Sequence, residues 1–275
     1  MLKDITLGQF FPGSSPIHRL DPRVKLVLVV LLVVLIFSAK NIFAFSFLVL
    51  GVISLVLLSQ ISVRVVLKAI RPILILMLFT AIINLFWTKG EGDPILALGF
   101  IKVWREGLVN ALFMVLRIVS LVTGTSILLT YTTSPIALTD ALERLLKPLK
   151  VIKVPVHEFA MMMTIALRFI PTLLEETDKI INAQKARGAS LDKGSLIDKV
   201  KAFVPILIPL FISAFRRADE LACAMECRCY RGDDGRTRMK VLKMGGIDYL
   251  SIAVFLIFAA VLFFLNTMPT SISVR

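Results

Sequence analysis

Apolar residues run unbroken through several stretches of this chain, and the lengths of those runs predict its architecture. A membrane-spanning helix needs about 20 predominantly apolar residues, or somewhat fewer where flanking side chains reach back to the interface. Leu26–Ala39, Ile42–Ser59, Pro72–Trp87, Leu108–Thr132 and Ile247–Asn266 meet this requirement, so five spans are expected. Only Lys40 and Asn41 separate the first two, which makes them a hairpin of rather short helices. Pro72 is expected in the first turn of the third span, where its missing N–H costs nothing. The polar, proline-punctuated residues before Leu26 contain no small-residue cleavage site, so the first run is expected to be retained.

Between Ser134 and Gly246 the continuous apolar runs give way to helical periodicity with heavy basic charge. Breaks at Pro148, Pro155 and Gly194 divide this insert into a short amphipathic helix over Thr139–Leu149 and two long ones, about Val156–Arg187 and Leu196–Tyr230. In the first long helix Ile170, Leu173, Leu174, Thr177, Ile180, Ile181 and Gln184 share a stripe, while Glu175, Asp178, Lys179, Asn182 and Lys185 lie elsewhere. In the second, Phe211, Phe215, Ala218, Ala222 and Met225 form the stripe, and Arg216, Arg217, Asp219 and Glu220 supply charge. Gly188 is expected to close the first helix as a left-handed cap. Ile170-Pro171 lies upstream of Arg187 and Ile208-Pro209 upstream of Arg228, at spacings of 16 and 19 positions. The difference is close to one helical turn, a weak repeat.

Composition agrees with the pattern. Hydrophobic residues make up 57% of the 275 residues, the mean hydropathy is +0.86, and soluble domains hold roughly 45–50% apolar residues. The expected fold class is an all-α integral membrane protein: an N-terminal segment and four spans in 1–133, a coupling-helix region in 134–246, and a final span and tail in 247–275. The net charge of +13 is no sign of nucleic-acid binding. No aromatic-plus-basic stripe accompanies it, and basic residues beside apolar runs report orientation and contact with anionic lipid. Lys3, Arg19, Arg23 and Lys25, then Arg64, Lys68 and Arg71, then the insert fall on one side; Lys40, Lys89, Lys102, Arg105 and Arg275 fall on the other. The positive-inside rule places the N-terminus and the insert in the cytoplasm and the C-terminus outside.

Several chemistries are weak or missing. Cys223, Cys227 and Cys229 crowd one segment with no partner elsewhere, which fits a reducing compartment, and they are expected as small buried thiols. Neither His18 nor His157 is close enough in sequence to complete a four-ligand zinc site, so no metal is assigned. Gly90-Glu91-Gly92-Asp93 is expected in an outside loop, whereas intramembrane aspartyl chemistry needs an embedded pair sharing a proton. Gly188-Ala189-Ser190-Leu191-Asp192-Lys193-Gly194-Ser195 has no lysine after its second glycine and is no phosphate loop. No catalytic residue is assigned and the chain is not expected to be an enzyme. Asn84 and Arg117 fall within spans, where polar groups are functional candidates by default; Arg117 is expected to snorkel toward the outer interface. Asp21 is expected to cap a helix beginning at Pro22, with Arg23 and Lys25 at head-group level and His18 at a surface.

Arg187 and Arg228 close the two long helices, where the negative end of the helix dipole favours a cation in any case. Each lies beside small residues, Ala186 and Gly188 or Cys227 and Cys229, that admit another protein's close approach. The residues alone leave dipole capping and docking both open. Gln184-Lys185-Ala186-Arg187-Gly188-Ala189 and Ala224-Met225-Glu226-Cys227-Arg228-Cys229-Tyr230 resemble the paired Ala-Arg-Gly motifs of the transmembrane T component of energy-coupling factor (ECF) transporters. Gly8-Gln9-Phe10-Phe11-Pro12-Gly13-Ser14-Ser15, then His18-Arg19-Leu20-Asp21-Pro22-Arg23 and Lys25, is similar to that family's opening signature. The second motif departs from the pattern, with Cys227 and Cys229 where alanine and glycine are usual.

The resemblance implies a membrane scaffold that joins two ABC-type ATPases to a membrane-embedded substrate-binding S component, for uptake of a vitamin or metal ion across a prokaryotic cytoplasmic membrane. Ala186, Arg187, Gly188, Cys227, Arg228 and Cys229 would dock the ATPases. The partners would bind ATP, and the chain needs no cofactor of its own. Leu173, Ile180, Phe211 and Phe215 are assigned to the S-component contact or to the crossing of the long helices. The alternative is a self-contained secondary transporter or channel, which calls for polar residues across several spans and inverted halves.

Overall fold

The computed structural model describes residues 10–87, 96–98, 101–189, 196–232 and 242–268. In chain order these form α1 (Pro16–Arg19), α2 (Pro22–Ser38), α3 (Ile42–Ser59), α4 (Val63–Ile70), α5 (Leu74–Trp87), a two-stranded antiparallel ribbon of β1 (Leu96–Leu98) and β2 (Ile101–Val103), α6 (Arg105–Thr125), α7 (Pro135–Leu146), α8 (Val156–Ala186), α9 (Leu196–Cys227) and α10 (Gly246–Thr267). Gly8, Gln9, Lys89, the Gly90-Glu91-Gly92-Asp93 string, Ser190, Gly194, Ser195 and Arg275 lie outside the described residues. Described residues between Gly8 and Leu138, with those from Leu242 on, form one compact unit; those between Thr139 and Val241 form another.

In the first unit the helical stretches Ile42–Ser59, Val63–Trp87, Arg105–Tyr131 and Gly246–Thr267 are long and apolar enough to cross a membrane. The fifth expected span falls on α2, 17 residues against the 18 of its hairpin partner α3. The third span begins earlier than expected. Pro72 is not in a first turn: it sits in a short 3-10 segment, Arg71–Ile73, joining α4 to α5. Proline cannot donate to the preceding turn and its ring crowds that turn's carbonyl, so the helix tightens there and continues. The fourth span also begins earlier, at Arg105, and ends in a π-helix over Ser126–Tyr131.

The core of this unit gathers Leu32 and Ile36 of α2, Phe45 and Leu48 of α3, Phe113 of α6, Ile127 and Tyr131 of the π-helix, and Leu262 of α10. Hydrocarbon tails are as apolar as leucine, so close packing and not exclusion from water holds such helices together. Small residues let them approach. A Cβ on Gly124 would lie 2.6 Å from the Leu32 side chain, and one on Gly107 would lie 3.0 Å from the Leu85 carbonyl oxygen. Arg117 donates to the carbonyl of Ala39, the residue that caps α2 beside Lys40, at 3.1 Å, and its guanidinium lies 6.0 Å from the Phe45 ring centroid. Asn84 donates one turn back to the Thr80 carbonyl at 2.9 Å.

In the second unit Pro148 ends α7 in a 3-10 segment, Lys147–Ile152, and Lys153 closes it at φ 63°. Glu143 of α7 pairs with His157 of α8 at 2.9 Å. α8 and α9 pack against each other over most of their lengths.

Two equivalent helix ends form the candidate docking site

The α8–α9 pair is antiparallel. Gln184 near the end of α8 donates to the carbonyl of Pro205 near the start of α9 at 3.4 Å. Midway, the Glu176 carboxylate accepts from the Ser213 hydroxyl and from Arg217 at 2.6 Å. Toward the start of α8, Ile165, Phe169 and Leu173 share a cavity of about 310 Å3 with Ala214, Leu221 and Met225 of α9. The Ser213 hydrogen bond, more than the Arg217 charge, holds the Glu176 carboxyl below the usual range.

This arrangement sends the two helix C-termini to opposite ends of the pair. Pro205 touches Gln184, three positions before Arg187, and lies 23 positions before Arg228. Arg187 lies on the far side of that contact from Arg228, so at 1.5 Å rise per residue the two arginines stand about 40 Å apart along the pair.

Both ends close with the same backbone motif. At α8 the Gly188 N–H donates to the Lys185 carbonyl at 3.0 Å and the Ala189 N–H to the Gln184 carbonyl at 3.0 Å. At α9 the Cys229 N–H donates to Glu226 at 2.8 Å and the Tyr230 N–H to Met225 at 3.1 Å. Each is a Schellman ending with arginine at the C-cap and the next residue left-handed. Gly188 has φ 88°, as its sequence predicts. Cys229 adopts φ 54° despite its Cβ, a conformation that costs a non-glycine residue roughly 1–2 kcal/mol. The glycine-like turn is therefore kept at 229 without a glycine. Ala186, Arg187, Gly188, Cys227, Arg228 and Cys229 are all exposed. So is Cys223: the expectation of buried thiols is corrected, because all three cysteines lie on or beyond the solvent-facing last turns of α9.

The four stripe residues divide into two sets. Leu173 and Ile180 are half-buried and border the cavities between α8 and α9. Phe211 and Phe215 stay 60% and 66% exposed and stack on each other with ring centroids 6.4 Å apart. At 100° per residue Ser213 and Leu221 lie within about 40° of Arg217, whereas Phe211 and Phe215 lie roughly 120° and 160° round. The phenylalanines therefore face away from α8. The Glu176–Ser213–Arg217 tie was missed in the sequence, where the available signal was Glu176 three and four positions from Leu173 and Ile180.

The opening signature builds a polar clamp in the other unit. Asp21 caps α2, accepting from the Arg23 N–H at 2.9 Å, with Pro22 at the first helical position as expected. Its own N–H donates to Asp248 of α10 at 2.8 Å, and Asp248 also accepts from Gly245 at 2.8 Å. Arg23 pairs with Asp21 at 2.8 Å and donates to the Leu242 carbonyl at 3.1 Å. Lys25 is buried in the protein, only 1% exposed, and donates to the Thr132 carbonyl at 2.7 Å and its hydroxyl at 3.2 Å. An ammonium buried this deeply needs several oxygen partners, and the residue following the π-helix supplies two. His18 is half-buried, its ring linking Ser15 Oγ at 2.6 Å to the Phe11 carbonyl at 3.0 Å.

Long apolar helices, a polar clamp at their shared end and an antiparallel pair with two matched, exposed arginine ends define a multi-pass α-helical membrane protein with a paired-helix insert. The cobalt transport protein family model, CbiQ, matches residues 13–241. The energy-coupling factor transporter transmembrane protein EcfT of Clostridium kluyveri is 56% identical over 251 residues, 91% of this chain and 93% of that protein. The protein of the same name from Ruminiclostridium cellulolyticum is 54% identical over 258 residues, 94% and 96% of the two chains, and that from Bacillus subtilis 47% over 266 residues, 97% and 100%. This chain belongs to that family and is an EcfT-type transmembrane component of energy-coupling factor transporters.

Proposed function

We propose that the chain is the mechanical scaffold of an ATP-driven importer, docking one ABC-type ATPase subunit at Arg187 and another at Arg228. The observation that carries this reading is the pair of Schellman endings, which present exposed arginines in one backbone geometry about 40 Å apart along a single helix pair. A docking rod for two copies of one partner, or for two related partners, needs that repetition. A dipole-satisfying arginine does not. The planar guanidinium suits carboxylates and backbone carbonyls in a partner's groove, and the small flanking residues let that groove close around it.

ATP would be bound and hydrolysed by the partners, and their closing and opening would move the helix ends. The rigid pair, tied at Glu176, would pass that motion to a membrane-embedded S component that binds the substrate, a vitamin or metal ion. The outward Phe211–Phe215 face is the surface assigned to that contact. The lysine and arginine distribution supports a prokaryotic cytoplasmic membrane with the N-terminus and insert inside and the C-terminus outside.

Purification of the tagged chain in mild detergent, with mass identification of what accompanies it, tests the scaffold reading. Two ATPase subunits and a small membrane protein are expected. Substrate transport by the reconstituted chain alone would overturn it in favour of a secondary transporter.

A further inference from the structure

The span-bearing unit contains a cavity of about 290 Å3 between α2, α3 and α10 that none of the roles above uses. Its floor lies in the core: Leu28, Leu32 and Leu128 are 6%, 2% and 3% exposed. Its rim is open, with Leu58, Leu250 and Val254 each more than half exposed on the flanks of α3 and α10. The two serines at its edge offer no polar anchor. Ser54 Oγ donates to the Gly51 carbonyl at 2.7 Å and Ser251 Oγ to the Asp248 carbonyl at 2.8 Å, each within its own helix. The cavity is therefore apolar and unsuited to water, which needs two to four polar partners.

We propose that this cavity seats one acyl chain of a membrane lipid. Size and setting decide the ligand class. An engineered apolar cavity of about 150 Å3 holds benzene, so about 290 Å3 suits a slender hydrocarbon. A helix, about 10 Å across with its side chains, has no room to reach the floor. α3 and α10 are both long and apolar enough to cross a bilayer, so the rim opens where acyl chains are the solvent. Gly51 helps to shape the pocket: a Cβ there would lie 2.6 Å from the Phe258 ring, so glycine lets that ring lie flat on α3 as a wall.

The test is photolabelling in vesicles of phosphatidylethanolamine and phosphatidylglycerol containing a phospholipid with a diazirine in mid-chain, followed by peptide mapping. Label is expected on Leu28, Leu32 and Leu128, whose burial shields them from surrounding lipid. Ser54→Phe, which plugs the rim without touching the floor, should abolish floor labelling and leave labelling of the exposed face of α5 at Ile75 and Phe79 unchanged. Label confined to exterior faces, or floor labelling that persists in the plugged variant, would overturn the proposal. So would loss of the floor adduct when the full complex is labelled, which would mean that a partner protein covers the cavity.

Discussion

Replacing Arg187 and Arg228 separates docking from dipole capping because the two readings differ several-fold in size. Both side chains are exposed in the chain itself, so an arginine that only offsets the helix dipole contributes about 0.3–1 kcal/mol, roughly a 2- to 5-fold effect. An arginine held by hydrogen bonds in a partner's groove costs about 2–5 kcal/mol when removed, or roughly 30-fold to several thousand-fold in affinity. Sites about 40 Å apart are too distant to couple directly, so their effects should add. Arg187→Ala and Arg228→Ala should therefore each lose one large increment of ATPase binding in nanodiscs and slow ATP-driven uptake, and the double variant should barely assemble. Lysine should restore little, since it keeps the charge and loses the planar fork. Losses of only a few-fold with full rescue by lysine would refute the docking reasoning.

Other outcomes follow from single contacts. Cys229→Gly should stabilise the α9 end by about 0.5–1 kcal/mol, read by thermal unfolding, because the left-handed backbone no longer carries a Cβ. Asp248→Ala should lower the melting temperature markedly, since it strips acceptors from two backbone donors at about 1–3 kcal/mol each. Phe211→Ser with Phe215→Ser should release the S component while leaving both ATPases bound; retention of the full complex on a pull-down would discard that surface. The Glu176 pKa is lowered by folding, so its tie to Ser213 and Arg217 stabilises the helix pair at neutral pH and fades as pH falls through the carboxylate range. Acid titration of helix-pair unfolding should lose that component in Glu176→Gln.

Local rules were legible in the sequence, and long-range pairing was not. Asp21 before Pro22 gave the start of α2, and Gly188 gave the left-handed end of α8, because caps depend on adjacent residues. The burial of Lys25 was hidden because the Thr132 oxygens that hold it are 107 positions away. The α9 stripe held only in part: Ala218, Ala222 and Met225 line the cavity shared with α8, whereas Phe211 and Phe215 do not. Ile206 to Phe215 is apolar nearly all round, so periodicity cannot say which face meets α8, and the structure turns Ser213, Arg217 and Leu221 inward and the phenylalanines outward. The cysteines looked buried because thiols usually are, yet Cys223 and Cys227 are not among the residues that α9 turns to the cavity shared with α8, Cys229 lies beyond the helix, and all three are exposed.

Counting ATPase subunits on the chain by native mass spectrometry tests the central claim most directly. Two equivalent arginine ends predict two subunits on the wild-type chain, one on Arg187→Ala, one on Arg228→Ala and none on the double variant. Two subunits retained on the double variant would contradict the account.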